Sequence, residues 1–221
     1  MDFIFMFTRN DQTVEDCLDV LNVALDSGVR HLGFKDVGVS IPTLDKLTEG
    51  IRQAGATAYL EVVSTTPLAM VQSAKNALIL GVHHLLGGTE AREMLTLLEG
   101  SEMEYHPFPG RPEGHPTRLG GSPEEIAEDC SRFEAMGCAG VDLLAYRAFE
   151  CDPLQAVEAA RAAISGRLVV AGSISTPSQI EALAKRGVDA FTIGSAALDG
   201  SFSPRKGHLG SQLKDILAAC G

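Results

Sequence analysis

Apolar residues along this chain fall into two alternating patterns. Short, nearly unbroken runs occur at Phe3–Thr8, Val29–Lys35, Thr57–Val63, Val82–Leu86, Met103–Pro107, Gly140–Tyr146, Arg167–Gly172 and Val188–Ile193. Between them, apolar positions recur every three or four residues, at Thr13–Ser27, Leu44–Ala54, Leu68–Leu80, Ala91–Leu98, Pro123–Met136, Pro153–Ile164 and Ser178–Lys185, with a last such stretch at Gln212–Ala219. The first pattern predicts strands buried on both faces, and the second predicts amphipathic helices. Punctuation agrees with both. Gly28, Gly55, Gly81, Gly137, Gly166 and Gly187 follow the helical stretches, where a left-handed residue ends a helix. Ser122-Pro123, Asp152-Pro153 and Thr176-Pro177 supply a capping side chain and a proline at helix starts.

Strict strand–helix alternation predicts a parallel sheet. Eight such units in 221 residues sit at the lower end of a fold that typically takes about 250. The expectation is a single (β/α)8 TIM barrel spanning residues 1–221. An open, doubly wound sheet would carry a glycine fingerprint in its first strand–helix turn. That turn is Thr8-Arg9-Asn10-Asp11-Gln12 and contains no glycine.

Composition narrows the partners. The net charge of −11 argues against nucleic acid or an anionic membrane as a partner. It leaves room for a small anionic metabolite in a locally positive site. Five scattered cysteines with no CxxC pair predict reduced thiols rather than a disulfide framework or zinc site. His106 and His115 have no acidic partner at metal spacing, so no metal is expected. With the dinucleotide fingerprint and the P-loop both absent, no cofactor is expected either. The segment MDFIFMFTRND lacks a basic start and is too short to span a membrane, so the expected location is cytoplasmic. Barrels of this size often pair, so a homo-oligomer is possible.

In such barrels the site lies at the C-terminal ends of the strands, and the loops after strands seven and eight often hold a phosphate. Here those loops begin Gly172-Ser173 and Gly194-Ser195. Glycine admits a close backbone approach, and a helical turn starting at Ser195 would add free N–H groups. The competing reading is that the glycines only permit tight turns.

The segment AGSISTPSQIEALAKRGVDAFTIGSAA, about the last quarter of the chain, resembles the closing part of the ribulose-phosphate-binding barrels. Its Thr176-Pro177-x-Gln179 and Ile193-Gly194-Ser195-Ala196 elements are most similar to N-acetylmannosamine-6-phosphate epimerases. The resemblance implies phosphate binding at Gly172, Ser173, Gly194 and Ser195. It does not extend to the epimerase chemistry, because Ala171 stands where that pattern places a catalytic glutamate.

Side chains alternate along a strand. In HLGFKD this turns His31, Gly33 and Lys35 inward, and in YLEVV it turns Tyr59, Glu61 and Val63 inward. Lys35 and Glu61, on neighbouring strands, should meet near the mouth. Lys35 has three readings: a Schiff-base nucleophile, an ammonium that stabilises an enolate or carboxylate, or half of a structural ion pair. Glu61 and Asp142 are candidate proton-transfer bases; Asp142 also reads as part of a polar interior layer. His106 is a candidate acid–base group at the end of strand five, or a rim histidine. His83 and His84 read as structural. Arg9, Arg111, Arg118 and Arg147 fall at strand ends or in the loop HPFPGRPEGHPTRLGG, where they could face an anion. That loop, residues 106–121, is expected to form a semi-rigid flap over the site or else a subunit contact.

Three functions fit these residues. The first is an isomerase or epimerase of a phosphorylated sugar or similar metabolite, abstracting a proton next to a carbonyl. The second is a lyase, either a Lys35 Schiff-base aldolase or a decarboxylase. The third is a non-catalytic phosphometabolite binder.

Overall fold

A computed structural model of the chain describes residues 1–62 and 66–221. Eight parallel strands form one sheet: β1 (Asp2–Met6), β2 (His31–Lys35), β3 (Thr57–Val62), β4 (His84–Gly87), β5 (Glu104–His106), β6 (Gly140–Leu143), β7 (Arg167–Val170) and β8 (Ala190–Ile193). The ladder runs β6-β7-β8-β1-β2-β3-β4-β5, which leaves β5 and β6 at its two ends. Two hydrogen bonds stitch those ends together. The Ala139 N–H donates to the Tyr105 carbonyl at 3.0 Å, and the Asp142 N–H donates to the Pro107 carbonyl at 2.9 Å. The result is a nearly closed (β/α)8 barrel.

Among the described residues the helices are α1 (Cys17–Asp26), α2 (Ile41–Gln53), α3 (Pro67–Leu80), α4 (Ala91–Leu98), α5 (Pro123–Met136), α6 (Pro153–Ala163), α7 (Pro177–Ala184), α8 (Ser195–Leu198) and α9 (Leu209–Ala219). Their apolar stripes lie on the barrel wall. In α1, Cys17, Val20, Leu21 and Ala24 are buried, and in α2, Leu44, Leu47, Thr48 and Ile51 are. Strand β1 shows why its run reads as unbroken. Phe3 and Phe5, with Phe7 just beyond them, pack outward in a row, ring centroids 6.4 and 5.1 Å apart. Ile4 and Met6 point into the barrel against Tyr59, Leu86, Val169 and Ala190. Both faces of the strand are therefore apolar. The caps also form: Ser122 and Thr176 each complete a capping box, and Asp152 accepts from the Leu154 and Gln155 N–H groups.

Several local expectations are corrected. Thr13 does not start a helix: Thr8–Arg9 pairs with Gln12–Thr13 as a short antiparallel hairpin, and α1 begins at Cys17. The Thr13 hydroxyl is used elsewhere, donating to the Lys35 carbonyl at 2.7 Å and accepting from the Lys35 N–H at 2.9 Å. The run Gly140–Tyr146 is strand only to Leu143, after which Ala145–Arg147 forms a 3-10 turn. Gly166 is not left-handed like the other helix-ending glycines; a Cβ there would lie 2.8 Å from the Ala139 carbonyl oxygen. Residues 106–121 are not an irregular loop but carry a hairpin, Arg111–Glu113 with Arg118–Gly120. Val63 lies outside the described residues. All five cysteines are free thiols. Among the described residues no helix is long and apolar enough to cross a membrane.

Candidate active site

A cavity of about 300 Å³ opens at the C-terminal ends of the strands. Lys35 and Glu61 reach it as the last inward residues of β2 and β3, paired in register across the ladder. Their charged atoms, Nζ and Oε1, are 3.0 Å apart, and both side chains are buried. A third group completes the cluster from a direction the strands do not reveal. Asp11, in the turn after β1, brings Oδ1 to 2.8 Å from Lys35 Nζ. Asn10 and Asp11 both take left-handed backbone angles, φ 51 and 58, which Asn and Asp tolerate better than most residues. The other side of Asp11 is held by Arg147, whose two terminal nitrogens donate to its carboxylate at 2.9 and 3.1 Å. The Thr117 N–H donates to the same carboxylate at 3.3 Å.

This packing sets the protonation states. Burial opposes ionisation of Asp11, but hydrogen bonds from Arg147 and the charge of Lys35 outweigh it and hold the carboxyl well below its usual range. Burial likewise opposes the Lys35 ammonium, but Glu61 and Asp11 outweigh it and raise its pKa. Lys35 is thus a fixed cation. Asp142 behaves in the opposite way. It is fully buried, and among the described residues neither carboxyl oxygen has a hydrogen-bond partner. Burial first and the Glu61 charge second push its pKa well up, with Lys35 and Arg147 only partly offsetting them. Asp142 is therefore a neutral carboxylic acid behind an ionised cluster. Asp11 and Asp142 are thus driven in opposite directions, one toward the carboxylate and the other toward the acid.

The turns after β7 and β8 form the facing wall, with Gly172, Ser173, Gly194 and Ser195 all lining the cavity. Ser173 is left-handed, φ 58, an uncommon conformation for a residue with a Cβ. Among the described residues nothing accepts a hydrogen bond from the N–H groups of Gly172, Ser173, Ile174, Ser195 or Ala196. The two glycines are needed for different reasons. At Gly172 (φ 84) a Cβ would lie 2.8 Å from Arg147 Cγ, so the arginine lies across this glycine. At Gly194 a Cβ would lie 2.6 Å from the Thr8 carbonyl oxygen. The close approach that Gly194 permits is to the chain's own backbone after β1.

Of the four arginines, Arg147 alone lines this cavity. Arg118 lines an adjoining outer space of about 500 Å³, shared with Asp11, Arg147, Ser173 and Ser195, and its guanidinium lies 4.2 Å from the Phe149 ring centroid. Pro116 and Thr117 reach the same space, so the 106–121 hairpin does border the site. Arg9 sits at the rim, donating to Asp199 at 2.7 Å and to the Leu198 carbonyl. Arg111 is not brought to the cavity; it is exposed and paired with Glu125 and Glu150.

His106 is also not at the mouth. It is completely buried, and its Nε2 lies 3.2 Å from Nδ1 of His84, the first residue of β4. Barrel strands are staggered, so residues paired along the ladder step down toward the opposite end. Burial, with the charges of His84 and Arg167, pushes its pKa down to about 3. Sequence reasoning missed Asp11 altogether. The available signal was the Asn10-Asp11 pair, two residues suited to a left-handed turn, placed on the active face.

No family model matches the chain, and no curated protein matches its sequence. Solved structures do match. Thiamine phosphate pyrophosphorylase from Pyrococcus furiosus superposes with a TM-score of 0.66 at 10% identity, covering 99% of this chain and 95% of that one. Orotidine 5'-phosphate decarboxylase from Pyrococcus horikoshii gives 0.70 at 10% identity, covering 99% and 98%. Tryptophan synthase from M. tuberculosis gives 0.71 at 15% identity, covering 99% and 92%. The likeness is one of fold. At these identities the cavity residues of this chain must be read on their own chemistry.

Proposed function

We propose that this barrel is an enzyme that moves a proton at a carbon next to a carbonyl in a small phosphorylated metabolite, as isomerases and epimerases of sugar phosphates do. The observation that carries the reading is the 3.0 Å contact of Lys35 with Glu61 inside a cavity whose opposite wall holds two Gly-Ser turns. Unpaired N–H groups in those turns suit a phosphate, and Arg147 adds a cation beside them. With the phosphate anchored there, the carbonyl end of a short substrate falls toward Lys35. The Glu61 carboxylate takes the carbon-bound proton, and the electron pair moves to the carbonyl oxygen. The enediolate charge faces the Lys35 ammonium, which is held charged by Asp11. Return of the proton to the neighbouring carbon or to the opposite face completes the reaction. The neutral Asp142 keeps a proton in reserve behind Glu61.

Incubating the protein with a panel of sugar phosphates in D2O tests this. The expected result is deuterium incorporation next to the carbonyl of the accepted substrate, seen by proton NMR and lost in Glu61→Gln. Ligands that bind and stabilise the fold without any exchange would instead make the barrel a binding protein.

One observation favours a second reading, a decarboxylating lyase. Lys35 is flanked by the carboxylates of Asp11 and Glu61. That anionic surround would destabilise a substrate carboxylate and leave the ammonium to protonate the carbanion formed as CO2 departs. A Schiff-base aldolase needs an uncharged amine, which the raised pKa of Lys35 disfavours. Borohydride with substrate would label Lys35 only in the aldolase case, and CO2 release would mark the decarboxylase.

A further inference from the structure

The opposite, N-terminal mouth of the barrel holds a second cluster. His84 opens β4, while Glu104 and His106 lie two residues apart on β5 and so share its inward face. Three atoms converge: His84 Nδ1, His106 Nε2 and Glu104 Oε2. Their separations are 3.2 Å between the two rings, 3.3 Å from His84 to Glu104 and 3.7 Å from His106 to Glu104.

Hydrogen bonds alone do not satisfy this triangle. A neutral imidazole carries one N–H and an ionised carboxylate carries none. If one ring turns its proton into the triangle, an edge remains on which lone pair meets lone pair. If both rings do so, N–H faces N–H across the 3.2 Å edge. A cation at the centre satisfies all three atoms together. Ligands about 2.0–2.1 Å from a tetrahedral ion are about 3.3 Å from one another, close to the separations found. The geometry points to a divalent transition-metal site, Zn2+ or a first-row equivalent, held by His84, His106 and Glu104.

The surroundings fit a bound cation. The His84 ring is stacked on Tyr59, centroids 4.4 Å apart and planes within 9°, which fixes its orientation. Glu104 is half-exposed and gives a route inward from solvent. Arg167 also faces this end, but its charge is met by Asp2 at 2.6 Å. Ile4, Leu86, Val169 and Ala190 fill the barrel interior between this cluster and the catalytic cavity, so the ion would take no part in the reaction. Its effect would be structural. β5 has three residues and ends the ladder, and a metal shared with β4 would pin it in place. The expectation from sequence that no metal binds weighed His106 with His115 and took His84 as structural; His84 and His106 are 22 positions apart, and strand pairing brings them together.

The test uses full-length protein stripped with a chelator and dialysed, then titrated with Co2+ and, separately, with Zn2+. The expected result is one equivalent per chain, a Co2+ visible spectrum without thiolate charge-transfer bands, and a rise in melting temperature. Glu104→Gln, at a half-exposed position, keeps the fold and should weaken uptake by more than the roughly 10–100-fold seen when a metal site loses only a supporting partner. His84→Gln should do the same. Absence of uptake by the unmutated protein, or uptake that survives both substitutions, overturns the site.

Discussion

Lys35 and Glu61 occupy register-paired positions on adjacent strands, and their charges meet 3.0 Å apart at the barrel mouth. Asp11 takes the other side of the same ammonium at 2.8 Å. Removing the lysine therefore leaves the buried Glu61 without its cation and Asp11 with Arg147 alone. Lys35→Met is expected to lose activity and to cost about 3–5 kcal/mol of stability, the usual penalty for breaking a buried pair from one side. Urea denaturation beside a turnover assay checks both. Unchanged turnover would remove Lys35 from the reaction even if stability falls.

Asp142 makes a prediction with a definite pH sign. Its pKa is raised in the folded state, so the fold retains a proton that the unfolded chain releases above about 3.9. Stability from this group is therefore greatest at acid pH and falls as pH rises from that value toward the folded pKa. Asp142→Asn removes the penalty. It should raise the melting temperature at pH 7, with the gain shrinking toward pH 4, while slowing turnover. A calorimetric pH series showing an equal shift at both ends would rule out a neutral Asp142.

Gly172→Ala tests the proposed phosphate wall through Arg147. The new Cβ meets the arginine at 2.8 Å, and the residue is left-handed besides. The arginine must move, and affinity for a sugar phosphate, read by thermal shift, should fall about tenfold, or roughly 1.4 kcal/mol. Ser195→Ala, which leaves Arg147 in place, should have a smaller effect.

Gly194→Ala is expected to act on the fold first. Its Cβ strikes the Thr8 carbonyl at 2.6 Å, a backbone atom that cannot turn aside. A loss of about 1–3 kcal/mol by denaturant titration is the scale for overpacking of this kind. Substitution here is therefore a poor probe of anion binding.

The hairpin arginines should separate cleanly. Arg118 borders the outer space beside Arg147, whereas Arg111 faces Glu125 and Glu150. Arg118→Ala is expected to raise KM with little change in melting temperature. Arg111→Ala is expected to leave KM nearly unchanged. Equal effects on KM would mean that the hairpin closes over the substrate as a unit.

Strand and helix order, helix caps and the inward direction of Lys35 and Glu61 were legible in the sequence because each depends on residues a few positions apart. Period 2 sets side-chain direction along a strand, and period 3.6 sets the buried stripe of a helix. The Gly-Ser turns were legible for a similar reason, since they sit where apolar runs stop. What the local pattern does not carry is the closure of the barrel. Stagger between strands took His106 away from the mouth and set it against His84 at the other end. Asp11 reached Lys35 because the turn after β1 folds back over the mouth, and Arg147 came to lie over Gly172 because β6 ends early in a 3-10 turn. These contacts join residues 24, 25 and 22 positions apart. At such separations only the packing of the whole barrel decides which side chains meet.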